Sequence, residues 1–233
     1  MEKDTASQIC DISNKSCCSS SEKTTEKDYT SHWDKAYSKT EINQLGWYEE
    51  TPEPSLELIR ACGLDRQARL LNVGAGATTL VDELQKLGFQ HIIANDISPL
   101  ALGKLKDRLG ANQNKISWIV DDLTRPTELE TLDQVDLWHD RAVLHFFNKQ
   151  EEQETYFKLL KKLLKRGGFA IIATFNLNGA SKCSGLAVHR YNEQMLADKL
   201  GSDFELVKSF DYSYTMPSGG IRDYVYTLFK RNA

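Results

Sequence analysis

From residue 66 onward, apolar positions along the chain follow two spacings in turn. Short apolar runs of strand length, rich in Ile, Val and aromatic residues, occur in "RLLNV" (69–73), "HIIAN" (91–95), "ISWIVD" (116–121), "QVDLWH" (134–139) and "FAIIATF" (169–175). Between them, apolar residues recur every three or four positions. Leu80, Val81, Leu84 and Leu87 predict a helix over 79–88; Leu102, Leu105 and Leu109 predict one over 99–109. Tyr156, Phe157, Leu160, Leu163 and Leu164 predict a helix over 150–165, and a last one is expected over 192–200. Apolar strands that alternate with amphipathic helices predict an α/β fold, a parallel sheet with helices on both faces. The alternation then stops. "DFELVKSFDYSYTMPSGGIRDYVYTLFKR" holds two β-rich runs joined through Pro217, Gly219 and Gly220, which predicts a closing antiparallel hairpin.

Punctuation residues agree with this pattern. Ser98 followed by Pro99 supplies an N-cap and a preset first turn. Gly167–Gly168 in "KRGGF" is expected to act as the C-cap of the 150–165 helix. Residues 1–30 are rich in Ser, Thr, Lys and Glu and nearly lack large apolar side chains, so they read as a flexible tail, with Cys10, Cys17 and Cys18 incidental in it. Residues 31–65, two short helices around Gly46-Trp47-Tyr48 with a bend at Pro52 and Pro54, read as a helical lid on a core spanning 66–233.

Composition narrows the function classes. The chain has 233 residues, 40% of them hydrophobic, enough for one sizeable core. Its 29 basic and 33 acidic residues are interspersed and leave a net charge of -4, which disfavours nucleic acid as a partner. The five cysteines fall in no zinc-ligand spacing, so no metal is expected; no apolar run reaches membrane-spanning length, and a cytoplasmic setting is expected.

The chemistry concentrates at the strand ends. In "NVGAGATT" Gly74 and Gly76 follow the first strand, and Thr78 opens the next helix, whose N-terminus faces a bound ligand in such folds. Asp96 ends the second strand, 20 residues after Gly76, where a carboxylate accepts both hydroxyls of a ribose. Thr78 stands where a dinucleotide loop needs a third glycine, which counts against NAD. Asp121 and Asp122 end the third strand, where an acid accepts from an adenine amino group. "HDRAVLH" places His139, Asp140, Arg141 and His145 beyond the fourth.

This order of motifs resembles the class I, seven-stranded S-adenosylmethionine-dependent methyltransferases, over roughly residues 31–233. The resemblance implies a Rossmann-like seven-stranded sheet, mostly parallel, with S-adenosylmethionine as cofactor and S-adenosylhomocysteine as product. It assigns Asn72, Gly74, Ala75, Gly76, Thr78, Asp96, Ile97, Asp122, Leu123 and His139 to the cofactor, and Trp47 is expected to close over it as a lid aromatic attracting the sulfonium. Two positions depart from the family pattern: Asn72 replaces an acid and Thr78 a glycine. "WHDRAVLHFF", "KCSG" and "RY" are similar to a bacterial subgroup, whereas "HWDKAY" and "LGWYEE" are similar to a branch that includes eukaryotic protein-lysine methyltransferases.

For catalysis, His145 is expected as general base or acceptor-orienting group, with Asp140 and Arg141 shaping the pocket. Tyr48, Cys183, Arg190 and Tyr191 are expected to contact the acceptor. The leading expectation is methyl transfer to a small molecule, including soft acceptors such as thiols. The alternatives are a protein-lysine methyltransferase and a non-catalytic or NAD-linked nucleotide-binding protein. The oligomeric state is left open.

Overall fold

The computed structural model describes residues 28–233; Cys10, Cys17, Cys18 and most of the expected tail lie outside them. The expected strands form β1 (Arg69–Val73), β2 (His91–Asp96), β3 (Ile116–Val120), β4 (Val135–Arg141) and β5 (Leu164–Phe175). A two-residue pair, β6 (Lys182–Cys183) and β7 (Leu186–Ala187), follows, and β8 (Phe204–Thr215) and β9 (Ile221–Arg231) make the terminal hairpin. The main sheet has the order β3-β2-β1-β4-β5-β9-β8, parallel through β5 and antiparallel at β9 and β8. Strand order reverses at β1, which has β2 on one side and β4 on the other, and such a reversal opens a crevice at the strand carboxyl ends.

Helices α1 (Tyr29–Lys39) and α2 (Glu53–Ala61) precede the sheet; α3 (Leu80–Lys86), α4 (Pro99–Leu109), α5 (Gln150–Leu163) and α6 (Glu193–Leu200) cross between strands. Alternate strand residues enter opposite cores. Leu70, Ile92, Leu137 and Ile171 pack toward α2, α3 and α4, while Leu71, Ile93, Trp138 and Ile172 pack toward α5 and α6. None of the described helices is long and apolar enough to cross a membrane.

Two expectations are corrected. The long helix ends at Leu163, not at the glycines, because Leu164 is already extended and pairs with Val135. Residues 165–168 then bulge out of the β4–β5 ladder, with Gly167 at φ +78°, so the Gly-Gly pair serves a bulge and not a helix cap. Helix α1 also starts ahead of the expected boundary at residue 31. Asp28 caps α1 by accepting from the Ser31 amide (3.0 Å), and Tyr29 is buried with its hydroxyl donating to the Phe146 carbonyl (3.2 Å).

Candidate active site

The carboxyl ends of β1 to β4 open into a cavity of about 1060 Å³, counting the space at its mouth. Asn72 and Gly74 reach it from β1, Asn95, Asp96 and Ile97 from β2, Asp121, Asp122 and Leu123 from β3, and His139, Arg141 and Val143 from β4. The N-terminal segment supplies the opposite wall through Tyr29, Trp33, Tyr37, Trp47 and Glu49.

Asp96 is the central acid. It is 7% exposed; its Oδ2 accepts from the Gly76 amide (2.8 Å) and its Oδ1 from the Ser98 amide (2.8 Å). Burial outweighs these hydrogen bonds and pushes its pKa up to about 6. A carboxyl whose pKa rises on folding holds its proton more tightly in the native chain, so its contribution to stability falls as pH rises from the ordinary carboxylate range to about 6. Hydrogen bonding to ribose hydroxyls needs the opposite, ionised state. We therefore expect S-adenosylhomocysteine affinity to drop as pH is lowered from 7.5 to 5.5, and Asp96→Asn to flatten that dependence; calorimetric titration at each pH checks both.

The glycine loop is bare for a reason the sequence did not show. A Cβ on Gly76 (φ +53°) would lie 2.2 Å from the Tyr37 hydroxyl oxygen, and one on Gly74 (φ +58°) 2.1 Å from Val143 Cγ2. The loop is thus pressed between α1 and the β4 turn, and both glycines sit in left-handed backbone. Gly76→Ala should displace Tyr37 and lower the thermal melting midpoint by several degrees, about 1–3 kcal/mol of strain and contact loss.

Beside the loop, His139 Nδ1 pairs with Asn72 Oδ1 (2.9 Å) and Ser55 Oγ with His139 Nε2 (2.9 Å). Burial, with Arg141 nearby, lowers the His139 pKa to about 3, so the imidazole is neutral and weakly basic. Asn95 donates from Nδ2 to the Ile119 and Asp121 carbonyls, while its buried Oδ1 meets no protein donor. That unpaired acceptor beside Asp96, and an amide at Asn72, form a donor and acceptor set that fits an adenosine-containing ligand.

Beyond β4 the chain turns at Ala142, in left-handed backbone at φ +70°. Asp140 accepts from the Val143 amide (3.0 Å), the Leu144 amide (3.1 Å) and the Tyr156 hydroxyl (2.7 Å), which fixes this turn. Arg141 lines the cavity and forms a buried ion pair with Glu49 (2.9 Å).

Several expected site residues are not brought to the cavity. His145 is fully buried outside its lining, between the rings of Phe146 and Phe175, and neither ring nitrogen has a hydrogen-bond partner. It has no path to an acceptor as a base. Asp140 spends its carboxylate on the turn and likewise does not line the wall. Ala75 and Gly76 lie behind the loop surface, Tyr48 offers its carbonyl to the Tyr214 hydroxyl, Tyr191 is fully buried, and Arg190 binds the Leu177 and Gly179 carbonyls. Asn72, Gly74, Thr78, Asp96, Ile97, Asp122, Leu123, His139, Arg141, Trp47 and Cys183 do meet at the cavity.

The sequence reading missed Glu49, Asn95 and the aromatic face of α1. Tyr29, Trp33 and Tyr37 recur at i, i+4 and i+8, a stripe that alone could have pointed to a packed face. The Trp33 and Tyr37 rings stand edge-on to Trp47 at 5.5 and 5.7 Å.

Comparison with known proteins agrees with this geometry. Residues 71–172 match the family described as "Methyltransferase domain". A human protein named EEF1A lysine methyltransferase 2 is 27% identical over 165 residues, covering 62% of this chain and 66% of its own length, just under two thirds. Among solved structures, a SAM-dependent methyltransferase from Anabaena variabilis superposes with a TM-score of 0.72 at 15% identity, over 89% of this chain and 96% of that one. The Burkholderia thailandensis 1,6-didemethyltoxoflavin-N1-methyltransferase, solved with S-adenosylhomocysteine, gives 0.60 at 21% identity over 78% of each chain. Residues 71–172 thus match a methyltransferase-domain family, and the chain shares the fold of S-adenosylmethionine-dependent methyltransferases.

Proposed function

We propose that the protein transfers a methyl group from S-adenosylmethionine to a small-molecule acceptor whose nucleophile is soft or uncharged, such as a thiol. The observation that carries this reading is one continuous cavity running from Asp122 past Asp96 and Asn72 to Arg141 and Cys183, walled by aromatic side chains of the N-terminal segment. Asp96 accepts the ribose hydroxyls, Asp122 and Leu123 flank the base, and Asn72, Gly74 and Thr78 hold the amino-acid portion. When bound, the cofactor supplies a methyl group already activated on a sulfonium sulfur. The chain's own residues position the acceptor and exclude water. Trp33, Tyr37 and Trp47 offer aromatic surface that attracts a cation.

The site gives the acceptor little help with its proton. His139 is held neutral with a pKa near 3, and Glu49 is tied to Arg141. An acceptor that arrives with its lone pair available, as a thiolate or neutral amine does, therefore suits this cavity better than an alcohol.

A second reading, protein-lysine methylation, is favoured by the name of the human relative. Incubation of the full chain with methyl-labelled S-adenosylmethionine, a panel of small thiols and amines, and a dialysed cell lysate separates the two. Label in small molecules is expected; label confined to lysate proteins would establish the second reading. Calorimetric binding of NAD in place of S-adenosylhomocysteine would overturn both.

A further inference from the structure

Arg141 reaches from β4 past β5 to β9, away from Asp96 on β2. Its Nε donates to the Tyr226 hydroxyl (3.0 Å) and faces Glu49, and its Nη1 donates to the Trp47 carbonyl (3.0 Å). The guanidinium carbon lies 5.1 Å from the ring centroids of both Tyr214 and Tyr224. Its Nη2, in a side chain 8% exposed on the cavity wall, has no hydrogen-bond partner. A guanidinium cannot shed its charge, so a dry, unpaired N–H₂ group at a ligand cavity calls for a ligand oxygen.

Cys183 lies at the same end of the cavity. Burial pushes its thiol up to about 11, against the pull of Arg222 and Arg141. Charge therefore divides along the cavity. Asp96, Asp121 and Asp122 line the end suited to a cationic cofactor, whereas at the other end Arg141 balances Glu49 and keeps one unbonded N–H₂ group.

We propose that the Arg141 end of the cavity is the acceptor subsite and takes a small molecule bearing a carboxylate, with Arg141 Nη2 donating to the carboxylate. The assignment rests on the methyltransferase reading and gives its acceptor a chemical class. It also disfavours a lysine side chain, which would bring a further cation against the Arg141 guanidinium.

The test is calorimetric titration of the full chain loaded with S-adenosylhomocysteine, using 3-mercaptopropionate and phenylacetate, each compared with its primary amide. Each carboxylate should bind about tenfold tighter than its amide, the scale of one charge-assisted hydrogen bond. Arg141→Lys keeps a charge for Glu49 but loses the forked donor, and should abolish most of that preference. S-adenosylhomocysteine affinity should fall clearly less than carboxylate affinity in Arg141→Lys. Equal binding of carboxylate and amide, or no binding of either, overturns the subsite. A loss of S-adenosylhomocysteine affinity in Arg141→Lys matching the loss for carboxylates also overturns it, because Nη2 would then serve the cofactor's own carboxylate. Failure of the unsubstituted chain to bind S-adenosylhomocysteine brings down the underlying methyltransferase reading instead.

Discussion

Arg141→Ala is expected to destabilise the protein by about 3–5 kcal/mol, the cost of leaving one member of a buried ion pair without its partner. Glu49 is the group left behind: its side chain is 9% exposed, and burial already raises its pKa, opposed by Arg141. The same substitution strips the Trp47 carbonyl and the Tyr226 hydroxyl of their donor and removes the cation beneath two tyrosine rings. A double variant, Arg141→Met with Glu49→Leu, replaces the pair by apolar side chains and should recover most of the loss, since a buried pair is often no more stable than its apolar substitute. Urea unfolding of the single and double variants measures this. A single variant as stable as the parent chain would show that Arg141 and Glu49 are not a buried pair in solution.

The second large effect falls on the cofactor. Asp96→Ala should weaken S-adenosylhomocysteine binding by about 1–3 kcal/mol, roughly 5- to 150-fold, through loss of charge-assisted hydrogen bonds to the ribose. Asp96 also accepts from the Gly76 and Ser98 amides, so the variant will lose some stability as well. A thermal melt beside the calorimetry separates the two contributions: cofactor affinity must fall at a temperature where the variant is still folded. Unchanged affinity would remove Asp96 from the ribose site.

Much of the framework was legible from apolar spacing. β1 and α4 run over the expected residues, because a strand buried on both faces and a helix opened by Ser98-Pro99 are fixed by local chemistry. The helix end before "KRGGF" was not, because pairing of Leu164 with Val135 across the sheet decided it. At the site, the acids at the tips of β2 and β3 could be placed by counting, since both follow straight strands. "HDRAVLH" could not. The left-handed Ala142 turns the chain so that Val143 and Phe146 face the cavity while His145 packs on Phe175, an outcome set by one backbone dihedral angle. Glu49 was equally hidden, because nothing local marks a glutamate in a loop as the partner of an arginine 92 residues further on.

The most direct test of the whole account is a crystal structure of the protein with S-adenosylhomocysteine. The ribose hydroxyls are predicted on the Asp96 carboxylate, the base between the Asp122 segment and the β2 tip, and the sulfur directed along β4 toward Arg141. A ribose bound away from Asp96, or a crevice closed by the protein's own side chains, would contradict it.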